Sequence, residues 1–315
     1  MISFVITTYG ETEEQVRRAL ASLTALGEDL SEVIIIDDGA YLYDSSCFDG
    51  GYVGCAPVRV IRANHGGLSL ARNCGIESST GDYVAFLDGD DESALRDIGS
   101  ILRSSPDVVR IGLKEINGNG EVRLYIPDDG ALSGADYLNT YMQRGALVPS
   151  ACVYIYRREW LLEHRIAFRQ GLIHEDLLFV IESLCKAQRV VTKASVGYIY
   201  HRRADSITSS QDSGMHVLRL RSLRRIHMSL LLLQAKNGDL DLRMWLLKVR
   251  KYAESIALRS PMRVVKFQYA AMRFQQFLAG VFLRHPQDWR QEFRGLISAV
   301  KDWALCRTIE GRIDR

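Results

Sequence analysis

The chain has 315 residues, of which 47% are hydrophobic and 25% charged, with a formal net charge of +2. These values are ordinary for a folded globular protein and exclude a disordered or fibrous chain. Its six cysteines make no Cys-x-x-Cys pair and no zinc-type spacing, so they read as reduced thiols.

The first half alternates strand and helix patterns. Ile2–Thr7 is a strand pattern, and no basic segment followed by an apolar run precedes it, which predicts a cytoplasmic rather than a secreted protein. Thr12 to Leu26 is amphipathic, with Val16, Leu20 and Leu23 on one face of a predicted helix. Glu32–Ile36 is nearly all apolar, as strands buried on both faces of a parallel sheet are. Val58–Ile61 is a third strand, Leu68–Glu77 a helix, Tyr83–Leu87 a fourth strand and Ala94–Leu102 another helix. Val108–Leu113 is a fifth strand, and Asn117-Gly118-Asn119-Gly120 is a turn between two extended runs. Ala151–Tyr156 is a strand, a helix begins near Glu175, and Val190–Tyr200 is extended. This rhythm predicts an α/β fold with an open, mostly parallel sheet.

The pattern changes near Ser210. Met215–Lys236, Leu240–Leu258, Met262–Leu283 and Trp289–Leu305 all have helical spacing. The apolar runs within them, Leu230–Leu233 and Phe277–Leu283, are far too short to span a bilayer. From His216 onward there are 20 basic and 8 acidic residues, a balance of +12, whereas the preceding part carries 20 basic and 30 acidic, or −10. An acidic front and a basic back predict two modules with different partners.

The chemistry concentrates at strand ends. Phe86-Leu87-Asp88-Gly89-Asp90-Asp91 closes the fourth strand with three carboxylates. Such crowding is relieved by a hard divalent cation, and the carboxyl end of an open α/β sheet is where ligands bind. A solvated turn capping the next helix is the plainer alternative. Thr7-Thr8-Tyr9-Gly10 and Asp37-Asp38-Gly39 close the first two strands. Asn64-His65-Gly66-Gly67 runs into a helix that carries Arg72, and His174-Glu175-Asp176 opens a later helix.

Together, these segments resemble the inverting family 2 glycosyltransferases over residues 1–209. The resemblance implies the A-type nucleotide-diphospho-sugar transferase fold, with a catalytic domain at 1–209 and a basic helical module at 210–315. It assigns Asp38, with Asp37 as the other member of the pair, to the uracil imide, and Thr7 and Tyr9 to the nucleoside pocket. Arg72 is placed near the nucleotide, pairing with phosphate or carboxylate; a structural ion pair with an aspartate of the site is the alternative. Asp88 faces the ribose, Asp90 holds Mn2+ or Mg2+, and Asp91 is structural. The metal stabilises the departing diphosphate. Asp176 is the base for the acceptor hydroxyl, with Glu175 as its rival, and the helix dipole favours the anion. In Tyr198-Ile199-Tyr200-His201-Arg202-Arg203 the family often has Arg at the position of His201, which leaves His201 to approach metal or phosphate. Arg203 neutralises the diphosphate, or is part of a solvated basic turn. His65 and His174 receive no catalytic role.

The activity so implied is transfer of a sugar from a nucleotide-diphosphate donor, a UDP-sugar, to a glycan or lipid-linked acceptor in surface polysaccharide synthesis. A nucleotidyltransferase and a non-catalytic nucleotide-sugar-binding protein are the other readings, though the first lacks a Gly-rich basic loop after the first strand. The basic amphipathic tail suits peripheral contact with an anionic membrane face, or a helical bundle or homodimer interface. No nucleic-acid-binding module is recognisable.

Overall fold

The computed structural model describes residues 1–39, 44–63, 65–202, 213–259 and 263–282. In chain order the elements are β1 (Ile2–Thr8), α1 (Glu13–Ser22), β2 (Leu30–Asp37), β3 (Tyr52–Val53), β4 (Ala56–Arg62), α2 (Leu68–Ser78), β5 (Tyr83–Asp88) and β6 (Glu92–Ser93). There follow α3 (Gly99–Arg103), β7 (Val108–Ile116), β8 (Val122–Tyr125), β9 (Gly130–Leu132), α4 (Gly134–Gln143), β10 (Tyr154–Arg157), α5 (Arg158–Glu163), α6 (Glu175–Lys186) and β11 (Val190–His201). The last described are α7 (Ser213–Lys236), α8 (Arg243–Arg259) and α9 (Arg263–Phe282).

One mixed sheet runs β3-β4-β2-β1-β5-β10-β7-β11-β6, with β8 beside β7 and β9 beside β11. The pairs β4-β2, β2-β1 and β1-β5 are parallel, and β10 is antiparallel to both of its neighbours. All seven residues of β1 are buried, as are seven of the eight in β2, because both faces of these strands are covered. Parallel registry brings three strand ends level, pairing Thr7 with Asp88 and Thr8 with Asp37. Helix α1 opens with a capping box, Thr12 accepting from the Gln15 amide and Gln15 from the Thr12 amide. At the other edge of the sheet, buried Glu32 accepts from Ser3 Oγ, Thr80 N and Thr80 Oγ1 at 2.6–2.7 Å and pairs with Arg59. These bonds hold its carboxyl below the usual range despite burial.

Several local expectations are corrected. The helix expected from Ala94 begins only at Gly99, because Glu92 and Ser93 pair with β11 and Ala94 N–H donates to the Gly197 carbonyl. Helix α1 ends at Ser22, and Leu23–Asp29 continues as 3-10 turns bent at Gly27, which has φ of 52°. Ala151–Val153 is a 3-10 turn ahead of β10, not the start of the strand. Helices α4 and α5 and strand β9 were not read from the sequence.

The chain divides into two compact units, Met1–Gly171 with Glu175–Ser206, and Leu172–His174 with Ile207–Arg315. In the second, α7, α8 and α9 pack against one another pairwise, and Leu223, Ile226 and Leu230 of α7, Val249 and Ile256 of α8, and Val265 and Met272 of α9 are buried. The helix expected at Trp289–Leu305 lies outside the described residues. No described helix is long and apolar enough to cross a membrane.

Helix α4 starts hard against α6. A Cβ on Gly134 would stand 1.8 Å from the Leu184 carbonyl oxygen, a backbone atom that cannot swing aside. Gly134→Ala is therefore expected to cost about 1–3 kcal/mol in urea unfolding. Gly118→Ala, where a Cβ meets nothing within 4 Å, should leave the midpoint nearly unchanged.

Candidate active site

The level ends of β1, β2 and β5 form the floor of the site. Asp37 is occupied locally, accepting from Ser45 Oγ at 2.6 Å and the Gly39 amide at 3.1 Å. Asp38 is buried, and its two carboxylate oxygens accept from the Gly66 and Gly67 amides at 2.8 and 2.9 Å. That bond pair pins the loop before α2 to the end of β2. It also seats His65, whose ring stacks on Tyr9 at 4.8 Å. Tyr9 is 53% exposed, so the pair is a flat aromatic surface beside the strand ends. Thr7 is buried and donates its hydroxyl to Asp88 at 3.3 Å.

Arg72, one turn into α2, is 1% exposed. Its guanidinium reaches Asp88 at 2.9 Å, Glu175 at 3.2 Å and Asp176, which it contacts closely. It also approaches Cys152 Sγ at 3.6 Å. The rings of Phe168 and Phe86 lie 5.4 and 6.0 Å from its central carbon. Phe168 in turn stacks on Phe179 of α6 at 3.8 Å. Of the sequence alternatives for Arg72, the described geometry contains the ion pair with site carboxylates.

Burial raises the carboxyls of Asp176 and Glu175, and Arg72 opposes the rise. Asp176 keeps 21% of its side chain exposed and also accepts from the Ala151 amide. Glu175 is pushed up to about 7, by burial and then by the charge of Asp176. Between its ordinary 4.5 and about 7 the native state holds a proton that the unfolded chain has lost. Glu175 therefore costs stability as pH rises through that window.

Asp88, 35% exposed, is followed by a turn closed by Asp91 N–H donating to the Asp88 carbonyl at 3.0 Å. Asp90 is buried, and its carbonyl accepts from Arg18 of α1 at 2.5 Å. Asp91 accepts from Tyr198 Oη at 2.6 Å and from the His201 amide at 2.8 Å. Burial and the charges of Asp88 and Asp90 push its carboxyl well up. The His201 imidazole sits 2.7 Å from Glu92 Oε1, a partner that the sequence reading did not foresee. Arg203 lies outside the described residues.

Among the described residues, no group of three or more His, Cys, Asp or Glu side chains is gathered to hold a metal by itself. A divalent ion carried by a diphosphate needs only one or two protein carboxylates, because phosphate oxygens and water complete its shell. The surplus negative charge at Asp88, Asp90 and Asp91 fits such a shared ion rather than an all-protein cage. A cavity of about 790 Å³ lies elsewhere, at the amino edge of the sheet beside Met1, Asp82, Gly99 and Arg158. It contains none of these carboxylates.

A mixed, mostly parallel sheet with carboxylates at its strand ends and a buried arginine among them is an α/β fold of the kind found in known glycosyltransferases. The comparisons agree. Residues 3–105 match the Glycosyl transferase family 2 model. It is 28% identical over 231 residues to the uncharacterized glycosyltransferase YibD of Escherichia coli, covering 68% of this chain. It is 26% identical over 213 residues to the poly(ribitol-phosphate) beta-N-acetylglucosaminyltransferase TarP of Staphylococcus aureus, covering 62% of this chain. The chain spans under two thirds of the length of these curated relatives, 64% and 61%. The crystal structure of S. aureus TarS 1–349 in complex with UDP-GlcNAc shares the fold, with a TM-score of 0.58 at 18% identity over 97% of this chain and 81% of that one.

Removing the hub should expose its role. Arg72→Met leaves three carboxylates facing one another without a cation, and is expected to cost about 3–5 kcal/mol at about pH 8. The difference from wild type should shrink at about pH 5, where Glu175 holds its proton. Urea unfolding at the two pH values measures it; an equal loss at both would contradict the charge account.

Proposed function

We propose that the protein is an inverting glycosyltransferase that moves a sugar from a UDP-sugar to a hydroxyl of a glycan or lipid-linked glycan acceptor in surface polysaccharide synthesis. The observation that carries this reading is Asp176, a partly exposed carboxylate sharing one buried arginine with Asp88 at the end of β5. The relatives' poly(ribitol-phosphate) acceptor and the UDP-GlcNAc bound to TarS support a surface polymer and a UDP donor.

In this reading Tyr9 and Thr7 border the nucleoside, and Asp38 retains free lone pairs for the uracil imide after binding Gly66 and Gly67. Asp88 takes the ribose. Asp90 would hold Mn2+ or Mg2+ with the diphosphate, and His201 and Arg203 are the residues proposed to meet metal or phosphate. The divalent ion supplies charge neutralisation for the departing UDP. Asp176 accepts the acceptor's hydroxyl proton as that oxygen bonds to the anomeric carbon and the bond to UDP breaks, inverting the configuration. Its raised pKa makes it a stronger base than a solvated aspartate, and Arg72 keeps it ionised.

Asp176→Asn keeps the shape and removes the proton acceptor. Transfer from UDP-GlcNAc should fall by roughly 10²–10⁴-fold with UDP affinity retained. Lost UDP binding with normal turnover would make Asp176 a binding residue instead.

The helical unit is read as the membrane-facing module of a cytoplasmic enzyme at the inner face of the plasma membrane, with a homodimer interface as the competing use. Lys248 and Lys251 are exposed on α8 beside exposed Met244 and Leu258, and Lys248 lies over the Trp245 ring. Such a mixed face suits anionic lipid. Lys248→Glu with Lys251→Glu should release the protein from acidic vesicles while leaving UDP binding intact. Unchanged vesicle binding, or equal binding of wild type to neutral vesicles, would point to the dimer.

A further inference from the structure

We propose that Tyr198 is a positioning residue whose hydroxyl, bonded to Asp91 and to the Asp88 amide, fixes the turn that presents Asp88 and Asp90 to the donor. This rests on the glycosyltransferase reading and concerns how that same site is held in shape.

The need for such a group follows from the sheet. Strand β1 pairs with β5 as far as Asp88, but β10 pairs with it only over Tyr83–Ala85. Gly89 N–H is directed to β1, where it donates to the Thr7 carbonyl. Asp88 N–H lies on the opposite edge, beyond the reach of β10, and there it donates to Tyr198 Oη at 3.3 Å. A partly buried amide left without an acceptor is costly, so this hydroxyl supplies a partner that no strand does.

The same hydroxyl donates to Asp91 Oδ2 at 2.6 Å, while the His201 amide donates to Oδ1 at 2.8 Å. Asp91 is almost fully buried, and its own amide closes the turn back to Asp88. Below the turn, Tyr198 and Ile199 of β11 pair with Ser93 and Glu92 of β6. On the other side, Arg18 holds the Asp90 carbonyl. The acidic turn is thus clamped from both flanks, and Tyr198 is the member that touches both its first and its last residue. Asp90 sits between them. Displacement of a reacting or binding group by a fraction of an ångström is enough to weaken a site of this kind.

The test compares Tyr198→Phe, Asp91→Asn and the double variant by calorimetric UDP binding with and without Mn2+, alongside thermal unfolding. Phenylalanine keeps the buried ring and removes only the hydroxyl, and Asp91→Asn keeps the shape of the turn. Each single variant should weaken Mn2+-dependent UDP binding by about tenfold, and the double variant should lose no more than either. UDP binding without Mn2+ should fall by less in all three, because only the contact of Asp88 with the ribose is then affected. Wild-type UDP affinity in Tyr198→Phe, or additive losses in the double variant, would overturn the positioning role alone. Equal weakening with and without Mn2+ would reduce Tyr198 to a general packing residue and likewise overturn it. Failure of the wild type to bind UDP under any condition would instead overturn the donor reading, and this inference with it.

Discussion

A single buried guanidinium faces more negative charge than it is able to neutralise. Arg72 meets Asp88, Glu175 and Asp176 directly, and Asp90 and Asp91 follow Asp88 in the same turn. Burial, and then the charge of Asp176, drive Glu175 towards neutral pH, where it holds its proton more readily than a surface carboxylate. The outer part of the cluster is left with a net negative field, which attracts a divalent ion and the diphosphate that binds it. Arg72 also joins α2, β5 and α6 at one point, so the base and the donor side of the site share a common anchor. The aromatic rings of Phe86 and Phe168 exclude water around that anchor and strengthen each pair.

The sheet makes this arrangement possible. Parallel β4, β2, β1 and β5 bring Asp37, Thr7 and Asp88 to one edge in register. The antiparallel β10 then brings Cys152 and the Ala151 amide, just ahead of it, to Arg72 and Asp176. Strand β11 closes the far side, where Tyr198 and His201 grip the acidic turn. Asp88, Arg72, Glu175 and Asp176 are therefore carried on strand or helix, while Asp90 and Asp91 lie on a turn that Tyr198 and His201 hold.

Much of this was legible in the sequence. The runs of β1, β2 and β5 are mostly apolar, with no alternation to suggest a solvent face, and their carboxyl ends carry the hydroxyls and carboxylates that mark the site. Glu175 was visible as the neighbour of Asp176. Three features were not legible. The stretch from Ala94 has helical spacing, but pairing of β6 with β11 delays the helix to Gly99, and that pairing spans about a hundred residues. Apart from Asp88, the partners of Arg72 and those of Asp91 at Tyr198 and His201 lie equally far away, so no local pattern announces them. Asp38 reads as a free acceptor in sequence, yet its oxygens organise the Gly66-Gly67 loop, a role set by the path of the chain rather than by spacing.

The most direct test of the Arg72 cluster is to follow the carboxyl carbons of labelled protein by NMR from about pH 4 to about pH 9. One carboxyl should titrate near 7, and its signal should vanish in Glu175→Gln. A set of carboxyls that all titrate within the ordinary range for Asp and Glu would contradict the account, because it would mean that the cluster is solvated and that Arg72 does not confine its charge.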